Sequence, residues 1–247
     1  MRILDHVYVV GSGKMGFDWT HPSDCNVYLI DGGDACALID TGTGESVDEI
    51  VANTKASGFS PATVKYLFLT HIHADHAGGA AGLWSATGAE VVVHGGAAAI
   101  LEEGDETKID LDRARDAGLY PASYRFTPCR ADLSLADGDT FEVGSLSVRA
   151  MLSPGHSEFD TCYFVTTAAG HVSLFTGDTV FAGGRISMLN THDFDLQALA
   201  NTMTRISGEQ ADSLFPGHLQ PVIRNAGAHI GAAKECFDRL GVPPSIV

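Results

Sequence analysis

The 247 residues carry 15 Lys and Arg against 31 Asp and Glu, a formal charge of −16, which repels phosphate backbones and sets nucleic acid aside as a partner. An apolar fraction of 45% is that of an ordinary globular chain with a substantial core, and Gly or charge interrupts every apolar run before it could cross a bilayer. Five scattered cysteines, Cys25, Cys36, Cys129, Cys162 and Cys236, form no Cys-x-x-Cys and suggest reduced, buried thiols, while Asp5 stands where a signal peptide would be apolar, so a cytoplasmic protein is expected.

Residues 3–10 read as a first strand. A Gly-rich loop follows over 11–22, and its stretch 17–21 around Trp19 is expected to form one wall of a substrate pocket, because long loops with exposed aromatics often contact ligands. Residues 25–30 and 35–39 are strands joined by Asp31-Gly32-Gly33-Asp34, a hairpin signal. The second strand runs into Asp40-Thr41-Gly42. Asp40 either caps a helix over 46–56 or orients a metal-bound histidine from behind; the second role is preferred, since one helix separates it from the strand that follows.

That strand, 64–69, delivers the densest chemistry in the chain, Leu69-Thr70-His71-Ile72-His73-Ala74-Asp75-His76-Ala77-Gly78-Gly79. Side chains alternate along a strand, so His71 and His73 point the same way, and Asp75 and His76 open the next segment facing back. Imidazole and carboxylate are the ligand set of Zn, Fe or Mn. Four such groups this close are costly to desolvate unless something binds them.

Beyond it, 79–87 reads as a short helix and 90–93 as a strand. His94 after that strand is taken as structural. Residues 97–128 form a helix-leaning surface excursion and a candidate lid. Strands at 140–143 and 146–152 lead to His156 in Ser-Pro-Gly-His-Ser. A hairpin over 161–167 and 171–175, with His171 exposed in its turn, leads to Asp178 in Thr-Gly-Asp-Thr. The segment 181–192, with Phe181 and Arg185, is expected to form the opposite pocket wall, Arg185 being placed for a substrate carboxylate. A helix over 195–206 shows apolar residues at helical spacing. A strand at 213–215 delivers His218 in Pro-Gly-His, and a last helix covers 226–240, with His229 an ordinary surface residue. Nothing resembles a linker, so a single domain over 1–247 is expected.

Asp40, His156, Asp178 and His218 thus each follow an apolar run beside Gly. With Asp40 behind, seven candidate ligands remain: His71, His73, Asp75, His76, His156, Asp178 and His218. Seven, one of them a bridging carboxylate, suit two ions roughly 3.5 Å apart, as in two-metal hydrolases. The set resembles the metallo-β-lactamase-fold hydrolases, through Leu-Ile-Asp40-Thr-Gly, His71-x-His73-x-Asp75-His76, Pro-Gly-His156-Ser, Thr-Gly-Asp178-Thr and Pro-Gly-His218. The likeness leans toward the glyoxalase II and lactonase-like branches. It differs from them in the 29 residues after His218, few for the helical domain that glyoxalase II adds there, and in Phe181, near which the lactonase branch carries a phenolic Tyr.

The resemblance implies an α/β fold, an αβ/βα four-layer sandwich with the metals at one edge. It implies His71, His73 and His156 on one ion, Asp75, His76 and His218 on the other, and Asp178 bridging. The expected cofactors are two divalent ions, zinc foremost, with iron or manganese as alternatives. The expected reaction is hydrolysis of a small ester, thioester or lactone by a hydroxide held between the two ions, with Asp75 or Asp178 passing a proton to the leaving group. The alternative is a mononuclear Fe(II) persulfide-type dioxygenase on the same fold, using His71, His156 and Asp178. The expected partner is a small-molecule substrate, with neither nucleic acid nor membrane, and a homodimer is left open.

Overall fold

Period-two alternation of apolar side chains builds the structure, a computed structural model that describes residues 1–247. Strands β1 (Arg2–Leu4), β2 (Val7–Gly11), β3 (Val27–Asp31), β4 (Cys36–Ile39), β5 (Val64–Phe68), β6 (Glu90–His94) and β7 (Leu133–Leu135) form one sheet in that order. It is antiparallel from β1 to β4 and parallel from β4 to β7. The second sheet has the order β12-β11-β10-β9-β8, from β8 (Thr140–Val143), β9 (Leu146–Leu152), β10 (Thr161–Thr166), β11 (Val172–Gly177) and β12 (Ser213–Pro216). Only β11 and β12 run parallel there.

Successive residues of each strand face opposite layers. Tyr28, Ile30, Ala37, Ile39, Tyr66 and Phe68 of the first sheet meet Val148, Ala150, Tyr163, Val165, Phe175 and Phe215 of the second in one buried layer. The alternate residues, Leu29, Leu38, Leu67, Val91 and Val93, face outward onto α1 (Val47–Ala56), α3 (Ala80–Thr87) and α4 (Ala98–Glu103). On the far side Cys162, Phe164, Leu174 and Leu214 pack against α6 (Leu196–Ser207) and α7 (Ala226–Asp238). Three apolar layers between helix, sheet, sheet and helix make the four-layer αβ/βα sandwich that the resemblance implies. Helix α6 starts where the Asp195 carboxylate accepts from the amides of Gln197 (2.8 Å) and Ala198 (2.9 Å), a cap worth ~1 kcal/mol. Its apolar stripe Leu199, Met203 and Ile206 is fully buried.

Local structure departs from the sequence reading in three places. The expected first strand, 3–10, is two, because the polar pair Asp5-His6 turns the chain and lets β1 pair antiparallel with β2. The excursion 97–128 holds α4 and α5 (Leu111–Asp116), in keeping with its helix-leaning composition, but the chain returns from it through a strand the sequence did not signal, β7, which pairs parallel with β6. His171 is half-buried rather than exposed, its Nε2 being 3.1 Å from Ser213 Oγ. No helix is long and apolar enough to cross a membrane.

Candidate metal centre

The exits of β4, β5, β9, β11 and β12 bring the candidate residues to one edge of the sandwich. Asp40 directly follows β4, and its amide donates to Phe68 O (2.9 Å). After β5 the chain turns into the four-residue helix α2 (Ala74–Ala77), which carries Asp75 and His76 back toward His71 and His73. Two inter-sheet tyrosines brace these exits from below: Tyr163 Oη donates to Leu69 O (2.7 Å) and Tyr28 Oη to Pro216 O (2.8 Å). Asn26 ties down the last exit, with Nδ2 donating to Pro216 O (3.1 Å) and Leu219 O (2.9 Å). Gly217 permits the closest approach. A Cβ there would lie 2.5 Å from His76 Cε1 and 2.7 Å from Asp178 Oδ1, so any larger residue would be driven into the cluster.

The seven side chains converge. Ligand atoms of His71, His73 and His156 lie within 4.8 Å of one another, as do those of Asp75, His76 and His218, and those of His71, His76 and Asp178. Asp178 stands between the groups, with its oxygens 3.4 Å from His76 Nε2, 3.5 Å from His218 Nε2 and 3.7 Å from His156 Nε2. His218 Nε2 also lies 3.1 Å from Asp75 Oδ2. Asp40 stays behind this ring: it accepts from His76 Nδ1 (2.8 Å) and from the amide (2.8 Å) and hydroxyl of Thr70. His156 Nδ1 donates to Ser187 O (3.2 Å). Each of these second contacts holds a ring so that its other nitrogen faces the cluster.

The residues fit a cation. His71 Nε2, His73 Nε2, His76 Nε2 and Asp178 Oδ1 are buried without any hydrogen-bond partner, a cost of about 1–3 kcal/mol each if nothing binds there. Burial raises both Asp75 and Asp178, and imidazoles outweigh it: His76 and His218 beside Asp75, and His218 and His76 beside Asp178, hold both carboxyls well below the usual range. Burial lowers His71, and the facing His76, His73 and His156 add to that, so it stays neutral. Burial also opposes charge on His76 and His218, yet the neighbouring acidic groups raise both. The carboxylates thus demand positive charge beside them, supplied by protons on these rings or by a cation. Cys25, also close to His76, is pushed up by burial to about 12 and stays an unreactive thiol.

A cavity of about 570 Å³ opens over the cluster, with His73, Asp75, Asp178 and His218 at its floor. Its walls differ from the expected ones. Trp19 is 42% exposed, Arg185 is exposed, and Phe181 is fully buried; none of the three lines the cavity. The loop 11–22 contributes Met15 and Pro22 instead, because hydrogen bonds of Trp19 N and Thr20 N to Ser12 O fold its aromatic tip back on itself. The segment 181–192 contributes Ser187 and Leu189, since Phe181 turns inward ahead of it. The third wall is the excursion, through Ile109, Leu111, Leu119 and Tyr120. The sequence signal for these residues was weak, a scatter of apolar positions among charges with no sustained period. His94 stays outside the cluster, its Nδ1 accepting from Gly96 N (2.9 Å) and its ring against Phe159, and His229 is likewise remote, with Nδ1 accepting from Gly183 N (2.7 Å).

The excursion is latched across the cavity to the segment 181–192. Asp110 accepts from the amide of His192 (2.7 Å) and from its Nδ1 (2.6 Å), and Arg113 Nη1 donates to Asn190 O (2.5 Å). Asp110→Ala is therefore expected to speed amide hydrogen exchange over residues 109–120 by about fivefold, the loss of roughly one hydrogen bond. Unchanged exchange there would show that the latch does not hold the wall.

The comparisons with known proteins agree with this architecture. Residues 21–218 match the family model described as the metallo-beta-lactamase superfamily. The chain is 29% identical over 212 residues to the atrochrysone carboxyl ACP thioesterase of Passalora fulva, a match covering 83% of this chain and 50% of that one. It is 35% identical over 179 residues to a protein of Burkholderia pseudomallei named "Probable metallo-hydrolase", covering 65% and 56%. The chain thus spans about half the length of the curated relatives it matches. A metallo-beta-lactamase of Cronobacter sakazakii shares the fold, with a TM-score of 0.75 at 21% identity over 97% of this chain and 96% of that one.

Proposed function

The chain belongs to the metallo-beta-lactamase superfamily, and from that premise we propose that it is a metal-dependent hydrolase of a small ester, thioester or lactone. The observation that carries the proposal is the ring of seven His and Asp side chains, with buried polar atoms that have no partner in the protein, on the floor of an apolar-walled cavity. Among the three bond types the thioester has added support from the relative named an ACP thioesterase.

In this reading His71, His73 and His156 hold one divalent ion, Asp75, His76 and His218 hold a second, and Asp178 serves both. Zinc is the ion expected, since neutral imidazole and carboxylate suit it. Bound there, the ions supply Lewis-acid polarisation of a carbonyl and an activated water. The chain's own residues do the rest. Asp40 and the Ser187 carbonyl fix the tautomers of His76 and His156 and hold the rings against rotation. Asp75 and Asp178, held ionised by the positive charge beside them, would take a proton and return it to the leaving oxygen or sulfur. The walls of Met15, Leu111, Leu119 and Leu189 accommodate an apolar acyl group and restrict water.

Elemental analysis of active protein, paired with an ester, thioester and lactone panel, tests the proposal. Two first-row ions per chain with hydrolysis of one class is the expected result. A single iron, with dioxygen consumed in the presence of a persulfide and no hydrolysis, would overturn it in favour of an oxygenase.

A further inference from the structure

Tyr120 stands over the cluster with no task in the chemistry described so far. It lies in the turn after α5, where Gly118 takes a positive φ of 76° and Leu119 N donates to Ala114 O (2.9 Å). Its ring stacks on Tyr124, with centroids 4.9 Å apart and planes at 21°. Tyr124 is itself buried, and its hydroxyl donates to Thr43 O (2.7 Å). Two stacked rings pinned to the core leave the Tyr120 phenol little freedom to swing into solvent. The phenol shares the cavity with Asp75, Asp178 and His218, and the Asp75 carboxylate is its immediate neighbour.

The other side chains of this wall offer nothing comparable. Ile109, Leu111 and Leu119 carry no polar atom. The Arg113 side chain is 57% exposed and is already bound to Asn190 O and Asp110. Tyr120 is therefore the hydrogen-bond donor that the excursion brings to the cluster. A phenol carries one O–H, so it meets the oxygen or sulfur of a substrate as a donor.

We propose that Tyr120 is a catalytic residue of this chain, donating its phenol hydrogen to the leaving oxygen or sulfur of the substrate as the acyl bond breaks. The inference rests on the hydrolase reading. The bond from acyl carbon to heteroatom breaks and its electron pair remains on the heteroatom, where the phenol hydrogen offsets the growing negative charge. Water supplies hydroxyl to the acyl carbon, and its other proton, taken up by Asp75, passes to the phenol oxygen as the phenol proton moves to the leaving group, so the acid residue returns its proton by way of Tyr120 and the phenol is unchanged at the end of the cycle.

The test is Tyr120→Phe, which keeps the ring, the stack and the wall. Octanoate esters of ethanol, trifluoroethanol and phenol form a series of decreasing leaving-group basicity. The variant is expected to lose about tenfold or more in kcat on the ethyl ester, with a smaller loss on the trifluoroethyl ester and little on the phenyl ester, at unchanged metal content. A loss equal across the series, or none, would overturn the proposal, because a ring that merely fills the wall has no reason to sense the leaving group. If the wild-type protein cleaved none of the series and nothing in the ester, thioester and lactone panel, the hydrolase reading would fail by itself. The Tyr120 donor would still be tested by calorimetry with the uncleavable ethyl octyl ether. Binding weaker by about fivefold in the variant, the worth of one hydrogen bond, supports the donor, and equal binding overturns it.

Discussion

Asp178→Ala is expected to remove turnover and metal together, lowering kcat/KM by at least about a thousandfold, the scale on which single electrostatic groups act in hydrolytic sites. The carboxylate is the side chain that reaches His76, His156 and His218 at once. In the proposed two-ion site its loss would leave two cations with no anion between them, and the imidazoles around it would lose their common neighbour. Asp40→Ala should be milder, about tenfold to a hundredfold in affinity or activity, because Asp40 acts through the Nδ1 of His76 and through Thr70. Metal content by elemental analysis and kcat/KM on the best substrate of the panel decide the matter. Equal and complete loss in both variants would mean that the roles of the two carboxylates are misassigned.

Stripping the protein with a chelator should abolish activity and lower the melting temperature by about 5–10 °C for each ion removed. An ion present at a hundred times its dissociation constant stabilises the folded state by about 2.7 kcal/mol, and one kcal/mol moves the midpoint by about 2–4 °C in a chain of this size. The physical source is the set of buried imidazole and carboxylate atoms that have no partner in the protein. Removing the cation leaves them desolvated, while the unfolded chain hydrates them in either state. Differential scanning calorimetry before and after chelation, with removal verified by elemental analysis, gives the answer. A metal-free protein with the same midpoint and the same activity would exclude a metal from both stability and catalysis.

The excursion over 97–128 has a consequence for any engineering of substrate range. Its residues Ile109, Leu111, Leu119 and Tyr120 wall the cavity, whereas Trp19 and Arg185 lie outside it. Substitutions there should change selectivity among acyl groups, while changes at Trp19 and Arg185 should leave it alone.

Much of this protein was legible in its residues alone. Short apolar runs are local information, and they located the strands of both sheets apart from β7 and the break between β1 and β2, because a strand buried on both faces must be apolar at every position. The dense run from His71 to His76 was legible because four ligand types in six residues have no cheap alternative to a shared partner. Asp40, His156, Asp178 and His218 were visible only as polar residues at strand exits beside Gly, and their roles rested on family likeness. Tertiary structure decided what spacing cannot express. The order of strands within the sheets brings five exits to one edge and sets Asp178 between the two groups of histidines, although well over a hundred residues separate Asp40 from His218. It also decided the cavity. Aromatics in a long loop signal contact with something, yet the backbone bonds from Trp19 and Thr20 to Ser12 leave Trp19 outside the cavity, which the loop lines through Met15 and Pro22 instead. Tyr120 reaches the cluster by the opposite route, since a stack on Tyr124 and a latch from Asp110 to His192 fold a charged, aperiodic excursion over the floor. Side chains that meet only through such long-range contacts leave no periodic trace in the sequence, which is why the ring of ligands was legible there and the walls around it were not.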